Sequence, residues 1–395
     1  MTSPSQQMNR ILQIHPFLKS EGFLPGAEGQ AQLSIRLSHE LASRGQKVGI
    51  FPYPEWLADE NCQVLNTGSM LQILPTTVFP SLPAASWLSW KALSFPVADK
   101  SLRNIRMVMK FLAGLHQAVQ KFKPDIIHNH ASFSDFPLLY QALGLTIPLI
   151  LSHHSPTAGR FLDAYRMVVF STEALRSMAC ATDPSLYDRS RLIRPAVERV
   201  FADSTIPIKG NRKGILFVGS LRLDTRLQIL LRAYAKSAAL RRIPLRICGI
   251  GPEEKSIREY VRRKKIPVTF LGKLPPEQVC REMLASELLV NPSPAEGFKL
   301  AMAEAMCCGT PVLGWNPQLE ELHALLRMEC GAGFDPALDG PEVLAEKILD
   351  LRTRRTLVSI TGRKKLAAKA RAFFSIERFT TEYMCLYDDC VDGHA

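Results

Sequence analysis

The sequence predicts an α/β protein built from two doubly wound, parallel-sheet domains. Short apolar runs alternate with amphipathic helical stretches from about residue 10 onward, the pattern of parallel strands joined by crossover helices. The alternation runs through the first half, stops, and begins again in the second. The interruption, residues 201–212, is rich in Pro, Gly, Ser and Asp and carries no apolar period, which reads as a link between domains. A chain of 395 residues is long enough for two domains of ordinary size.

The elements follow in order. Residues 11–14 form the first strand. Residues 29–44 read as a helix because Leu33, Leu37 and Leu41 recur at a spacing of four, and Gly45 closes it. Residues 47–51 return as a strand, and 102–122 form a basic amphipathic helix. Strands follow at 125–128, 148–151 and 167–170. In the second half strands fall at 215–218, 245–248, 268–271, 288–290 and 312–313, with helices between them. Ligands of such sheets bind outside the carboxyl ends of the strands, so residues placed there are the first candidates for a site.

Bulk properties exclude several classes. Hydrophobic residues make up 46% and charged residues 22%, the balance of a soluble globular chain. No apolar run approaches the ~20 residues of a membrane span, and residues 1–10 lack the charged and apolar regions of a secretory signal. Nine cysteines include no Cys-x-x-Cys pair, and an odd number argues against a complete disulfide framework. A reducing cytoplasm is the expected compartment. The net charge is +12, with most of the excess after residue 205. Clusters such as 262–265 and 363–365 read as solvated helix faces. An anionic ligand or an anionic membrane surface explains the excess equally well. Nucleic acid is not expected, because no basic-aromatic motif of a known nucleic-acid fold is present.

The most informative stretch is 295–312, AEGFKLAMAEAMCCGTPV. Glu296 follows a Pro-bounded loop, and Glu304, with seven residues between the two, lies in an Ala/Met-rich segment that reads as a buried helix. A carboxylate on a helix with so little polar surface is uncommon unless something pairs with it. Gly297 lets the backbone approach a ligand, and the helix start after it offers N–H groups to an anion. Two carboxylates alone read equally well as a loop Glu favouring a helix dipole and a solvated helix Glu. Gly-Phe after the first, and Ala-Met-x-x-Gly-Thr-Pro-Val after the second, tip the reading toward a ligand site.

This stretch resembles the Glu-x7-Glu donor signature of the family 4 retaining glycosyltransferases. The resemblance runs from about residue 10 to 390 and is stronger in the second half. It implies a GT-B fold, with two Rossmann-like domains facing across a cleft. An acceptor-side domain, 1–203, would be closed by a C-terminal helix, 375–395, that crosses back to it. A nucleotide-sugar domain would span 212–374. The implied activity is retaining transfer of a hexosyl or N-acetylhexosaminyl group from a nucleoside diphosphate sugar to an acceptor hydroxyl.

Carried over position by position, the resemblance names further candidates. The family's Gly-Gly loop, which touches the donor phosphates, matches Glu28-Gly29. Gly29 is retained, while Glu28 would repel a diphosphate unless it points away or grips the acceptor; Gly29 also reads as a helix-start glycine. Residues 124–130 and 151–155 are similar to the family's strand-end histidine segments. His154 matches the residue that meets the donor sugar near the reacting carbon, and His153 takes that place if the register slips by one. Either also reads as a capping or hydrogen-bonding histidine. A zinc site built from His128, His130, His153 and His154 has no clear ligand logic.

The family's Arg and Lys that clamp the departing diphosphate are replaced by Ser220 and Thr225. A leaving diphosphate needs charge compensation, and Arg222, Arg226 and Lys299 are the nearby cations that would supply it. Each also reads as a surface cation. Gly251, in Gly249-Ile250-Gly251, would lie near the nucleotide base, although tight strand-to-helix turns use such glycines anyway. Gly297, Phe298, Lys299 and Leu300 would line the phosphate-facing helix start. Residues 316–320 replace the usual Gly-Gly-x-Pro-Glu, and 194–201 align with a hinge turn of structural value.

The implied mechanism is same-face attack, in which the leaving phosphate helps deprotonate the acceptor and the protein positions groups and stabilises charge. Glu296 and His154 are the catalytic candidates, and Glu304 would accept hydrogen bonds from the ribose. No cofactor beyond the nucleotide-sugar co-substrate is expected, and no metal, since the chain has no Asp-x-Asp triplet. The acceptor would be a sugar, a lipid-linked molecule or a natural product. Residues 75–110, with Trp87, Trp90, Arg103, Arg106 and Lys110, read as a peripheral contact with the inner face of the membrane, as an acceptor wall, or as core. The alternative function, motivated by Ser220 and Thr225, is a catalytically weak or inactive GT-B protein that binds a glycan or serves as a partner subunit.

Overall fold

The computed structural model describes residues 9–15, 18–19, 22–23, 28–52, 71–73, 102–130, 136–153, 162–208, 211–294 and 297–392. They fall into two compact units, Met1–Ile193 with Phe379–Ala395, and Arg194–Arg378.

The first unit holds β1 (Arg10–His15), a short antiparallel pair β2 (Leu18–Lys19) and β3 (Gly22–Phe23), α1 (Glu28–Ser43), β4 (Lys47–Pro52), β5 (Leu71–Ile73), α2 (Leu102–Phe122), β6 (Ile126–Asn129), α3 (Phe136–Ala142), β7 (Leu149–His153), β8 (Met167–Phe170), α4 (Glu173–Thr182) and β9 (Ser190–Leu192). Seven strands form a parallel sheet in the order β5-β4-β1-β6-β7-β8-β9. Leu33, Leu37 and Leu41 of α1 are buried, as their spacing of four predicts. Every residue of β6, β7 and β8 is buried, the signature of a parallel sheet covered on both faces.

The second unit holds α5 (Arg199–Ala202), β10 (Ile215–Val218), α6 (Leu227–Lys236), β11 (Leu245–Cys248), α7 (Glu254–Lys264), β12 (Val268–Gly272), α8 (Pro276–Ala285), β13 (Leu288–Val290), α9 (Leu300–Cys307), β14 (Val312–Trp315), α10 (Asn316–Leu326), β15 (Gly331–Phe334), α11 (Pro341–Leu351), α12 (Arg355–Val358) and α13 (Ile360–Phe373). Its six parallel strands run β12-β11-β10-β13-β14-β15, the order of a Rossmann sheet with its switch point between β10 and β13. A last helix, α14 (Ile376–Val391), begins in the second unit and belongs to the first from Phe379 onward.

The division differs from the expected link at 201–212. Phe201 and Val197 are buried in the second unit's apolar cluster, and the Val197 N–H donates to the Phe374 carbonyl at 3.0 Å. Arg212 is buried as well. The segment that looks like a linker in composition is thus anchored from Arg194 onward by two apolar side chains and a buried cation. The second unit correspondingly continues to Arg378, past the expected limit of 374. Most of the segment 75–110 lies outside the described residues, which resume at 102. No helix among the described residues is long and apolar enough to cross a membrane.

Candidate functional site

In the second unit the two loops that leave β10 and β13 flank the switch point, where a ligand of an open α/β sheet binds. They are tied together, because the Ser293 hydroxyl donates to the Asp224 carbonyl at 3.2 Å. The β13 loop feeds α9, whose sequence, Leu-Ala-Met-Ala-Glu-Ala-Met-Cys, buries Met302, Ala303, Ala305, Met306 and Cys307. Apolar residues surround almost the whole helix, and half-buried Glu304 is the one acid within it. Lys299 occupies the N-cap position without a side-chain cap; its carbonyl accepts from the Met302 N–H at 3.0 Å, and its side chain supplies no acceptor to the first-turn N–H groups of Leu300 and Ala301. Gly297, Lys299 and Leu300 are half-buried. Phe298 turns toward the interior, its ring 5.7 Å from that of Phe374, and so anchors the turn that precedes the helix. Glu296 lies outside the described residues.

The β10 loop carries the expected cations. Ser220 is exposed. Arg222 is exposed and pairs with Asp224 at 3.2 Å, and such a surface pair has little hold on its partners. The Thr225 hydroxyl donates to the Arg222 carbonyl at 2.7 Å, a turn-closing bond. Arg226 adopts a left-handed backbone, φ 54°, uncommon for a residue with a side chain, and lines a groove of about 490 Å³ with Asp224, Gln228 and Arg232. Gly251 has a packing reason: a Cβ there would lie 2.4 Å from the Leu221 carbonyl oxygen. The glycine therefore lets the two loops run backbone to backbone, as the Leu221 N–H to Ile250 O bond of 3.0 Å also does.

In the first unit Gly29 is the second residue of α1. His154 lies outside the described residues. The three other histidines of the strand-end segments, His128, His130 and His153, are buried at the carboxyl ends of β6 and β7. His128 Nδ1 lies 2.6 Å from the Tyr387 hydroxyl and its Nε2 2.8 Å from Ser152 Oγ. Ser152 Oγ in turn lies 2.8 Å from the Tyr383 hydroxyl. Both nitrogens of His128 are therefore engaged, and α14 is bonded to the strand end that leads to His153 and His154. The His130 ring lies against that of His128, centroids 3.9 Å apart and planes tilted by 40°.

His153 packs edge-on against Phe170, and burial lowers its pKa from 6.5 to about 4. It is neutral at pH 7 and offers a hydrogen bond, not a charge. The unfolded chain, with an ordinary histidine, takes up the proton first as pH falls. Stability is therefore complete above about pH 6.5 and declines toward pH 4, by roughly 3 kcal/mol. Urea unfolding of the parent and of His153→Gln across that range checks this. The variant is expected to show the shallower decline, and equal slopes would exclude His153 as the source.

Two family models match the chain, one described as glycosyltransferase family 4 over residues 27–198 and one as glycosyl transferases group 1 over residues 212–368. The N-acetyl-alpha-D-glucosaminyl L-malate synthase of Bacillus anthracis is 32% identical over 223 residues, 50% of this chain and 58% of that protein. The chain thus spans a little over half the length of that relative. The D-inositol 3-phosphate glycosyltransferase of Mycolicibacterium smegmatis is 31% identical over 345 residues, 77% of this chain and 74% of that protein. The chain belongs to glycosyltransferase family 4. The solved structure of HepE from Anabaena with UDP-glucose matches with a TM-score of 0.66 at 16% identity, over 95% of this chain and 98% of that one. The fold is accordingly that of the GT-B glycosyltransferases.

Two groups in this family 4 glycosyltransferase escape a reading of motifs. Tyr383 and Tyr387 share a face of α14 with Phe379 at a spacing of four, which signals a buried stripe but not the histidine it bonds to. Arg212 and Arg363 stand next to lysine and other polar or glycine residues in the sequence, yet both are buried.

Proposed function

We propose that the chain transfers a hexosyl or N-acetylhexosaminyl group from a nucleoside diphosphate sugar to an acceptor hydroxyl, with retention of configuration. The observation that carries this is Glu304, half-buried on an otherwise apolar helix that starts beside the switch point of a Rossmann sheet. An acceptor-only carboxylate there suits the paired hydroxyls of a ribose. The helix start and Lys299 suit the diphosphate. Arg222 or Arg226 joins Lys299 in place of the cations lost at Ser220 and Thr225, and the weak pairing of Arg222 with Asp224 leaves it able to change partners. Glu296 steadies the positive charge that develops on the sugar, and His154 holds the sugar. No metal takes part in this reading. The relative named as an N-acetyl-alpha-D-glucosaminyl L-malate synthase supports the N-acetylhexosaminyl class, and the one named as a D-inositol 3-phosphate glycosyltransferase supports glycosyl transfer. The acceptor is a sugar, a lipid-linked molecule or a natural product, and a peripheral membrane contact through 75–110 belongs to the lipid-linked case.

Thermal-shift measurement with UDP, GDP, ADP and dTDP, without added metal, tests the donor site. One diphosphate is expected to raise the midpoint, and Glu304→Ala to abolish the rise, since losing charge-assisted hydrogen bonds of about 1.5–3 kcal/mol weakens binding at least tenfold. No response to any diphosphate would favour the second reading, a glycan-binding GT-B protein without transfer, for which exposed Ser220 and the turn-closing Thr225 speak.

A further inference from the structure

The helix that carries Glu304 ends in three consecutive carbonyls, Cys307, Cys308 and Gly309, and each accepts from a different arginine. Arg371 Nε donates to Cys307 O at 2.8 Å, Arg212 Nη2 to Cys308 O at 2.7 Å, and Arg363 Nη1 to Gly309 O at 3.1 Å. The last carbonyls of a helix lack partners within it and carry its partial negative charge, so cations belong there. Simple termination does not need three of them. Gly309, at φ 67°, already closes the helix by a left-handed turn, with the Gly309 N–H bonded to Met306 O and the Thr310 N–H to Ala305 O, both at 2.9 Å. Burying a guanidinium is costly unless its donors are matched, and Arg212 and Arg363 are both buried.

What the arginines add is attachment. Arg212 also donates to Met283 O at 3.2 Å, near the end of α8, and to the Thr310 hydroxyl. Arg363 also donates to Glu287 O, at the entry to β13, and to Val358 O, each at 3.0 Å. Arg371 also reaches Ile206 O at 3.3 Å. The end of α9 is thereby bonded to several other elements, which sets its axial position and its rotation. Glu304 stands one turn before that end, its own carbonyl accepting from the Cys308 N–H at 3.1 Å. A small slide or rotation of the helix end would move the carboxylate directly.

We propose that Arg212, Arg363 and Arg371 are positioning residues for Glu304, holding its helix in the setting that binds the nucleotide of the donor. The proposal rests on the donor-site reading of Glu304 given above. Arg371 is half-buried and is the member best suited to substitution. Its effect is read in a double-mutant cycle, with affinities for UDP, GDP, ADP and dTDP and the unfolding midpoint measured for the parent, Arg371→Gln, Glu304→Gln and the double variant. Positioning through Glu304 predicts that Arg371→Gln weakens the tightest diphosphate about tenfold when Glu304 is present and less than about twofold in the Glu304→Gln background. The loss of midpoint should be the same in both backgrounds. Equal weakening in both backgrounds, or no weakening, overturns the proposal and leaves the arginines a structural role. If Arg371→Gln does not fold, Arg371→Lys, which keeps the charge but only one donor nitrogen, carries the same cycle with a smaller ratio. If no diphosphate binds the parent, or Glu304→Gln binds as tightly as the parent, it is the donor-site reading that fails, and this proposal falls with it.

Discussion

Replacing Glu296 by Gln is expected to lower turnover about 100-fold or more while leaving the unfolding midpoint close to that of the parent. Departure of a diphosphate leaves positive charge on the sugar ring. A carboxylate aimed at that charge stabilises the transition state more than the ground state, and the difference appears in the rate of the chemical step. The amide keeps the size of the side chain and part of its hydrogen bonding but loses the charge. Initial rates at saturating donor, beside a thermal melt, separate the effects. A fall in kcat with little change in KM marks a group that acts in the transition state, whereas the Glu304 variants should act mainly on donor binding. Transfer at the parental rate would remove Glu296 from the catalytic role proposed for it. A lowered midpoint of similar severity would make its part structural.

Replacing Arg363 by Met is expected to destabilise the second unit by on the order of 3 kcal/mol or more. Arg363 is 2% exposed, and its three donors serve the carbonyls of Val358, Glu287 and Gly309. An apolar side chain of similar length fills the space and avoids the cost of burying a charge. That exchange is neutral or favourable where both partners of a buried pair are removed together. Here the acceptors are backbone carbonyls that stay behind, so the loss of their donors decides the sign. The matched control is Lys364→Met on the exposed side of the same helix, where a change within about 0.5 kcal/mol is expected. Urea unfolding of both checks this, and equal midpoints for the two variants would show that the buried guanidinium is dispensable.

Much of the architecture was legible for a physical reason. Residues 215–218 and 288–290 are short apolar runs and 245–248 is one interrupted only by Arg246; all three are strands with those same limits. A parallel sheet covered on both faces requires continuous apolar runs, which stand out against amphipathic helices. Residues 71–73, 190–192 and 331–334 are strands that were not anticipated. Runs of three or four residues are too short to show a period, and Gly331-Ala-Gly-Phe334 offers little strand preference by itself. Gly331 is there because its neighbour comes close, since a Cβ would lie 1.7 Å from the Val312 carbonyl oxygen. Such a contact exists only once β14 and β15 are paired.

The candidate site divides in the same way. Glu304 on a buried helix, the helix start at Lys299, and histidines at the ends of β6 and β7 follow from residue type and local period, which are properties of neighbouring residues. The anchoring of 194–212 in the second unit, the bonds from Tyr383 and Tyr387 to Ser152 and His128, and the three arginines at the end of α9 follow from none of these. Their partners lie 64 residues away for Arg371 and Cys307, 96 for Arg212 and Cys308, and 259 for His128 and Tyr387. The sequence by itself determined two parallel-sheet units and the family they belong to, because periodicity and motif spacing are local. Which polar side chains would be buried, and which carbonyls they would serve, was decided only by the tertiary structure. A buried donor finds its acceptor through three-dimensional proximity, and spacing along the chain carries no record of it.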